Sequence, residues 1–333
     1  KQKVVSVFRI PVLRDLGILP FLMGGLAITF SIMNPQFATI GNAGNIIHQS
    51  SFLTLLALGQ LFALLVGGLD ISIGVLIPFV SVISALTMTN VGLPPLAAVS
   101  LGVFVGGAAA FGVGMANGAI IAFTGVSPFI ATLGMFSILA GGAFVISGEV
   151  PVFGLPPLFN DVLGSGVVGG VPIPVIAMAS IAFILYIIMN WTHMGRYFWA
   201  IGGNVNAALL SGVPVRKYKM MAYVLCSTIA GIAAILLTAR TGSGELTLGL
   251  PLMLQAIAAA VLGGAAVGGG RGNIPGVVLG AIFIVMLMNG MNLIQLGSFV
   301  QEITVGGFLI LAIIVDQLLR RARGEPTIIK AAI

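Results

Sequence analysis

Polar side chains are rare within the long apolar stretches of this sequence. The candidates there are amides and hydroxyls, namely Gln60, Ser72, Asn117, Thr247, Gln255, Asn289 and Asn292. Such groups exchange neutral hydrogen bonds, which suits brief contact with a polar solute. Away from water each needs a hydrogen-bond partner. They therefore either line a route for a polar solute or tie helices together, and Asn117 favours the second role because it ends a series of small residues.

Residues that would support catalysis or metal binding are scarce. The chain has one cysteine, Cys226, and two histidines, His48 and His193, which excludes a disulfide framework, a cysteine metal site and a His-rich cluster. No Gly-Lys pair occurs, so the chain has no phosphate-binding P-loop, and the one dinucleotide-like glycine spacing, at residues 164–169, has no βαβ unit around it. We therefore predict no catalytic residue, no metal site, no cofactor and no enzymatic activity of the chain itself.

The composition places the chain in a lipid bilayer. Of its 333 residues, 59% are hydrophobic and only 7% are charged, and the mean hydropathy is +1.18. A helix needs about 20 apolar residues to cross the hydrocarbon core. We predict one all-helical transmembrane domain, residues 1–333, with ten spans at 16–33, 46–66, 75–89, 93–123, 127–147, 174–191, 220–239, 251–267, 274–293 and 299–319.

The basic residues indicate the orientation. When ten spans alternate across the membrane, thirteen of the 14 Lys and Arg residues fall on one side and only Arg240 falls on the other. Cytoplasmic loops carry such an excess of basic residues. We therefore predict cytoplasmic termini, with cytoplasmic segments at 1–15, 192–219 and 320–333. We assign the net charge of +6 to contact with anionic lipid and not with nucleic acid.

Two short motifs recur in the second half of the chain. Residues 70–74 read Asp-Ile-Ser-Ile-Gly and residues 245–249 read Glu-Leu-Thr-Leu-Gly, while Asn117-Gly118 recurs as Asn289-Gly290. The offsets, 175 and 172 positions, map spans two to five onto spans seven to ten and invert each copy in the membrane. Inverted repeats are typical of transporters, whose substrate route lies between the halves. Asp70 and Glu245, at span ends, are expected to act as helix caps or gate contacts.

The segment at 192–219 contains a predicted short helix. Asn204 is a typical N-cap, and Gly212 and Pro214 are typical of a helix end. Between them lie mostly small and apolar residues, among them Asn206, Ala207, Ala208 and Ser211. Such a helix below the membrane is suited to insert into another protein. The alternative is a connector that lies among the lipid headgroups.

Four ordered segments resemble those of a known family. Residues 67–74 (GGLDISIG), 127–134 (SPFIATLG), 206–212 (NAALLSG) and 256–264 (AIAAAVLGG) are similar to segments of the permease subunits of ribose/arabinose/galactose-type bacterial ABC sugar importers. The resemblance implies a multi-pass subunit of the bacterial cytoplasmic membrane that pairs with a second permease subunit, identical or related. It also implies a periplasmic binding protein that delivers a monosaccharide or similar solute, and a cytoplasmic ATP-binding subunit that contacts a coupling helix at 206–212.

The chain departs from this family at two positions, and other functions stay open. Relatives commonly carry an acid where this chain has Gln255, and Thr near the position of Gln60, so the resemblance does not fix the sugar or the role of these residues. All acids lie at or near span ends, which favours a partner ATPase over ion coupling as the energy source. The alternatives are a stand-alone secondary transporter or facilitator and a structural membrane scaffold.

Overall fold

The computed structural model describes residues 19–322, and the helices of six residues or more in this range number twelve. The predicted segment 1–15 and residues 323–333 of the predicted tail lie outside the described residues. The twelve helices are α1 (Leu19–Met33), α2 (Ile40–Leu65), α3 (Ile73–Asn90), α4 (Pro95–Ala119), α5 (Pro128–Ser147), α6 (Ile173–Trp191), α7 (His193–Gly203), α8 (Val205–Leu210), α9 (Val215–Thr241), α10 (Leu250–Leu262), α11 (Ile274–Leu293) and α12 (Ser298–Ala322).

The long helices have the length and composition of membrane spans. Within the described range, seven helices qualify, namely α2, α3, α4 with its continuation to Thr124, α5, α6, α9 and α11. Three shorter apolar helices are α1, α10 and the Ser298–Ile314 part of α12. The predicted all-helical membrane class is confirmed, and each of the ten apolar segments read from the sequence coincides with one of these helices.

Several helices begin or end at other residues than the apolar pattern predicts, and local capping residues explain the difference. α2 begins six residues before its predicted span because the Thr39 hydroxyl accepts a hydrogen bond from the Asn42 N–H at 3.2 Å. α10 ends at Leu262, short of the predicted 267, and Gly264 just beyond it has a left-handed backbone (φ 92°). α4 ends in a π-helical turn, Ile120–Thr124. Apolar runs therefore locate the helices, whereas polar caps and glycines set their ends.

The connection between α5 and α6 carries the only sheet within residues 19–322. The helical turns Pro157–Phe159 and Asn160–Gly164 precede an antiparallel hairpin of β1 (Val167–Val168) and β2 (Val171–Pro172), with Val168 paired to Val171. Gly169 and Gly170 both have positive φ, which a tight two-residue hairpin turn requires.

The core is built around α2 and α9, which pack against each other. α2 is the most enclosed of the seven span-length helices, with 83% of its most apolar 18-residue stretch buried, and it has the lowest hydropathy, 1.3. Gly59 allows this close packing, because a Cβ there would lie 2.8 Å from the Cys226 carbonyl oxygen of α9. α2 also contacts α6, α10 and α11. Its polar side chains are consequently surrounded by protein.

Helix packing follows a twofold pattern. Contacts in the first half of the chain have equivalents in the second half. The α4–α9 contact is equivalent to α11–α2, and α3–α9 is equivalent to α10–α2. The contacts of α3 with α4 and α5 are equivalent to those of α10 with α11 and α12. The pairs α2–α9 and α3–α10 join each helix to its own counterpart. In the second pair the glycines of the two recurring motifs meet, because a Cβ on Gly249 would collide with the Gly74 carbonyl oxygen. A twofold axis through this contact, relating α2–α5 to α9–α12, would produce this pattern.

Candidate functional site

Buried polar residues gather where the turn after α2 meets α4 and α9, and we call Gln60, Asp70, Ser72, Asn117 and Tyr223 the Asp70 cluster. Asp70 is fully buried, and its Oδ1 accepts hydrogen bonds from the Ser72 N–H at 2.9 Å and from the Ser72 hydroxyl at 2.6 Å. The Asn117 amide on α4 donates to the Ser72 hydroxyl at 2.9 Å. Asp70 thus holds the backbone that leads into α3, and Ser72 links this turn to α4.

Gln60 on α2 binds the backbone of the same turn. In the amide orientation that satisfies both partners, Gln60 donates to the Asp70 carbonyl oxygen and accepts from the Asp70 N–H, each at 3.2 Å. One side chain thereby satisfies both backbone groups of a buried residue, which would otherwise cost free energy. In this conformation Gln60 fixes the turn, and its hydrogen bonds are not available to a solute.

Three oxygens of the Asp70 cluster have no hydrogen-bond partner within residues 19–322. They are Asp70 Oδ2, Asn117 Oδ1 and the Tyr223 hydroxyl, and all three are buried. Gly68 makes room for Tyr223, since a Cβ at that glycine would collide with the hydroxyl. These oxygens keep acceptor capacity that no group within residues 19–322 uses in this conformation.

A second polar cluster surrounds the turn after α9. Glu245 accepts a hydrogen bond from the Ser243 hydroxyl at 2.6 Å, and the Glu245 N–H donates to the Ser81 hydroxyl on α3 at 3.1 Å. Ser81 also accepts from the Thr238 hydroxyl on α9 at 2.8 Å. The two acids of the recurring motifs therefore both bind a nearby serine, but Asp70 is fully buried in the bundle whereas Glu245 is half-buried.

Two of the predicted route residues take part in helix–helix contacts. Asn289 on α11 and Asn42 on α2 exchange side-chain hydrogen bonds of 2.9 and 3.0 Å. Asn292 accepts from the Gln301 amide on α12 at 2.7 Å. In this conformation both residues therefore serve the alternative role of joining helices. The sequence prediction missed Asn42 because it precedes the predicted span at 46–66, although an amide so close to a span was an available signal.

Thr247 and Gln255 differ from the other candidates, since the hydrogen bonds found within residues 19–322 include none from their side chains. Thr247 is exposed in the turn before α10. Gln255 is 7% exposed and borders a groove between α10 and α12, which Glu302 also lines. Glu302 was not among the predicted route residues. Glu302 lies across the groove from Gln255 because α12 packs on α10, and the sequence spacing does not predict this contact.

The predicted short helix forms as α8, and the Asn204 side chain caps it by accepting from the Ala207 N–H at 3.0 Å. Leu209 and Leu210 are 62% and 90% exposed, whereas Ala208 is 4% exposed. The Ala208 side chain packs within this chain in this structure, so its contact with a partner protein stays a prediction. The other predicted coupling residues, Asn206, Ala207, Ser211 and Gly212, are exposed.

A backbone contact connects α7, and α8 directly after it, to the end of α2. The Gly270 N–H donates to the Leu65 carbonyl oxygen at 3.0 Å. Gly202 of α7 packs on both groups so closely that a Cβ there would collide with the Leu65 oxygen and the Gly270 nitrogen. Leu65 lies five residues before Asp70, so α7 packs on the end of α2 next to the turn that contains the Asp70 cluster.

Comparisons with known proteins show what the chain is similar to. Residues 42–315 match a family described as branched-chain amino acid transport system / permease component. The chain is 35% identical over 302 residues to the D-allose transport system permease protein AlsC of Escherichia coli, which covers 90% of this chain and 91% of that protein. It is 36% identical over 308 residues to the ribose import permease protein RbsC of Bacillus subtilis, covering 92% and 94%. It is 31% identical over 299 residues to the L-arabinose ABC transporter permease protein AraH of Azospirillum brasilense, covering 90% and 86%. No solved structure matches the chain significantly.

Proposed function

The chain belongs to the permease family that matches residues 42–315, and from this membership we propose that it is the membrane subunit of an ATP-driven importer of a monosaccharide or similar small polar solute. The resemblance to ABC sugar permeases is confirmed, with identities of 31–36% to three such proteins over about 90% of the chain. The chain is a multi-pass protein of the bacterial cytoplasmic membrane, a sugar-translocating component and not an enzyme.

The observation that carries the proposed substrate is similarity along the whole chain. The family description refers to branched-chain amino acids, whereas the three relatives are each named for a monosaccharide and match nearly end to end. The candidate route residues agree with an uncharged polar cargo, because they are amides and hydroxyls. Weak, replaceable hydrogen bonds suit a solute that has to leave as readily as it enters.

α8 is the proposed contact for a cytoplasmic ATP-binding subunit. Its exposed Leu209 and Leu210 provide an apolar surface, and Asn204 caps the helix. Movement of α8 would pass through Gly202 to Leu65 and on to Asp70. This connection supports the proposal that the Asp70 cluster gates one end of the route. By the repeat, Glu245 with Ser81 is the proposed gate at the other end.

The proposed assembly follows from membership of the permease family. The chain would pair with a second permease subunit, identical or related, and receive its solute from a periplasmic binding protein. We propose ten spans, cytoplasmic termini and an inverted repeat. The distribution of basic residues and the twofold packing pattern support this arrangement.

Reconstitution tests the function. The purified chain is placed in liposomes alone or with its ATP-binding subunit and binding protein, and uptake of radiolabelled D-ribose, D-allose and L-arabinose is measured. We expect uptake of one of these sugars only when both partners and ATP are present. Uptake by the chain alone would favour a stand-alone facilitator, and no uptake of any sugar by the complete system would contradict the proposed substrate class.

Leu210→Arg tests the role of α8. Leu210 is 90% exposed, so the arginine leaves folding intact but puts an unpaired charge into an apolar contact, which costs several kcal/mol. We expect co-purification with the ATP-binding subunit to weaken at least ~100-fold. Val168→Arg, the same change at an exposed valine of the β1–β2 hairpin, serves as the control and should retain the partner. If both variants retain the ATP-binding subunit equally, α8 is a connector that lies among the lipid headgroups and not the contact for this subunit.

A further inference from the structure

A groove of about 260 Å³ opens between α10 and α12. Leu250, Pro251 and Leu254 of α10 and Val305 of α12 give it apolar walls. Its volume corresponds to roughly nine water molecules at about 30 Å³ each. The groove therefore has room for a small polar solute.

Two polar side chains enter this groove, Gln255 from α10 and Glu302 from α12. Gln255 is 7% exposed, and its amide takes part in none of the hydrogen bonds formed within residues 19–322. Glu302 is exposed, one turn after the start of α12. A carboxylate that faced hydrocarbon would be costly. The groove is therefore suited to face water or a solute.

The chemistry of this pair matches the hydroxyl groups of an uncharged polyol. A carboxylate offers two acceptor oxygens and an amide offers one acceptor and two N–H donors, while each sugar hydroxyl both donates and accepts. The negative charge of Glu302 disfavours an anion. One carboxylate and one amide also provide too few oxygens for Ca²⁺, which takes six to eight. The apolar walls suit the C–H face of a sugar ring.

The groove begins where the two halves of the chain meet. Gly249, just before α10, contacts Gly74 at the start of α3. At the repeat offset of 175, Gln255 corresponds to Val80, so this amide has no polar counterpart in the other half. Glu302 corresponds to Ser127 at this offset and to Ile130 at the offset of 172, so neither alignment gives it an acidic counterpart. The carboxylate–amide pair is therefore not repeated in the other half.

From these observations we infer that Gln255 and Glu302 form a transient binding site for the hydroxyl groups of a monosaccharide on its way through the membrane. This inference rests on the proposed function and extends it to a specific groove. Glu302 accepts hydrogen bonds from adjacent hydroxyls, and Gln255 orients the ring from the opposite wall.

Cysteine labelling tests the site in the assembled transporter. Gly306→Cys puts a thiol into the groove, where nothing lies within 4 Å of the added Cβ, and the native Cys226 is fully buried. The probe is a water-soluble maleimide, with D-ribose, D-allose or L-arabinose present at tens of millimolar. We expect the thiol to be labelled, and the transported sugar to slow labelling at least threefold.

Variants of the polar pair complete this test. Added to the Gly306→Cys chain, Glu302→Gln and Gln255→Leu should each remove protection by sugar, measured as the ratio of labelling rates with and without sugar in the same variant. Glu149→Gln, which neutralises an exposed carboxylate outside the groove, serves as the matched control and should retain protection. A thiol that is not labelled, or protection that persists in Glu302→Gln, overturns the inference.

Uptake separates this inference from the proposed function. If the complete wild-type transporter takes up none of the three sugars, the proposed function fails. If it does take one up, we expect Glu302→Gln to raise the KM for that sugar at least tenfold, whereas Glu149→Gln, outside the groove, should leave this KM unchanged. An unchanged KM would overturn the binding site and leave the proposed function standing.

Discussion

Asp70 binds Ser72 through one carboxylate oxygen, while the other is buried and has no hydrogen-bond partner among residues 19–322. The bonded oxygen therefore stabilises the turn, whereas burial of the charge itself is a cost. These two effects can be separated by substitution.

We expect Asp70→Asn to unfold in detergent at the same temperature as wild type or higher, because its amide oxygen still accepts from Ser72. Asp70→Ala leaves the Ser72 N–H and the Ser72 hydroxyl proton without their acceptor and should lose about 1–3 kcal/mol of stability. Thermal unfolding followed by circular dichroism measures both. Equal destabilisation by the two variants would mean that the carboxylate charge is itself needed for the fold.

Sequence reasoning identified most of the polar residues but not their partners. Gln60, Ser72, Asn289 and Asn292 stand out because each is polar in an apolar context. Their contacts depend on tertiary packing: Asn289 meets Asn42, 247 positions away, and Gln60 binds a backbone that carries no side-chain signal. Gln255 was predicted because it is an amide within an apolar stretch. Glu302 became a candidate only from the structure, where α10 packs on α12.

At the scale of elements, the contact between α7 and the end of α2 requires a residue without a Cβ at position 202. Gly202→Ala would drive a Cβ into the Leu65 oxygen and the Gly270 nitrogen, which are backbone atoms and cannot rotate away. We expect this variant to lose several degrees in unfolding temperature and most of its sugar uptake. Gly203→Ala is the matched control, since nothing lies within 4 Å of its Cβ. A Gly202→Ala protein with normal uptake would show that α7 does not transmit movement to α2.

The helices were predictable because a run of apolar residues long enough to span a bilayer has few other stable conformations. Their ends were less predictable. Thr39 extends α2 and Asn273 caps α11 through its side chain, and neither effect appears in hydropathy. α10 was read as a span although it has only 13 residues. It is short because it ends at Leu262, before Gly263 and the left-handed Gly264, and not at the predicted 267.

At the scale of the whole molecule, the repeat and the basic residues together predict which face each loop occupies. We expect Asp161→Cys to react with a membrane-impermeant maleimide from the periplasm and Lys217→Cys only after the membrane is opened. Both positions are exposed, and the native Cys226 is buried and silent. Labelling of both cysteines from the periplasm would contradict the ten-span arrangement.

The enclosure of α2 also has a consequence for biosynthesis. Ser50, Ser51, Thr54 and Gln60 are all buried in the finished fold, yet the helix that packs alongside them, α9, ends 176 residues later. At about 5–20 residues per second, the ribosome needs roughly 9–35 s to complete it. Throughout that interval the nascent chain holds α2, which has the lowest hydropathy of the seven span-length helices within residues 19–322, in the membrane without α9. Early termination upstream of α9 would therefore leave a fragment in which the surface of α2 that α9 covers is open to lipid.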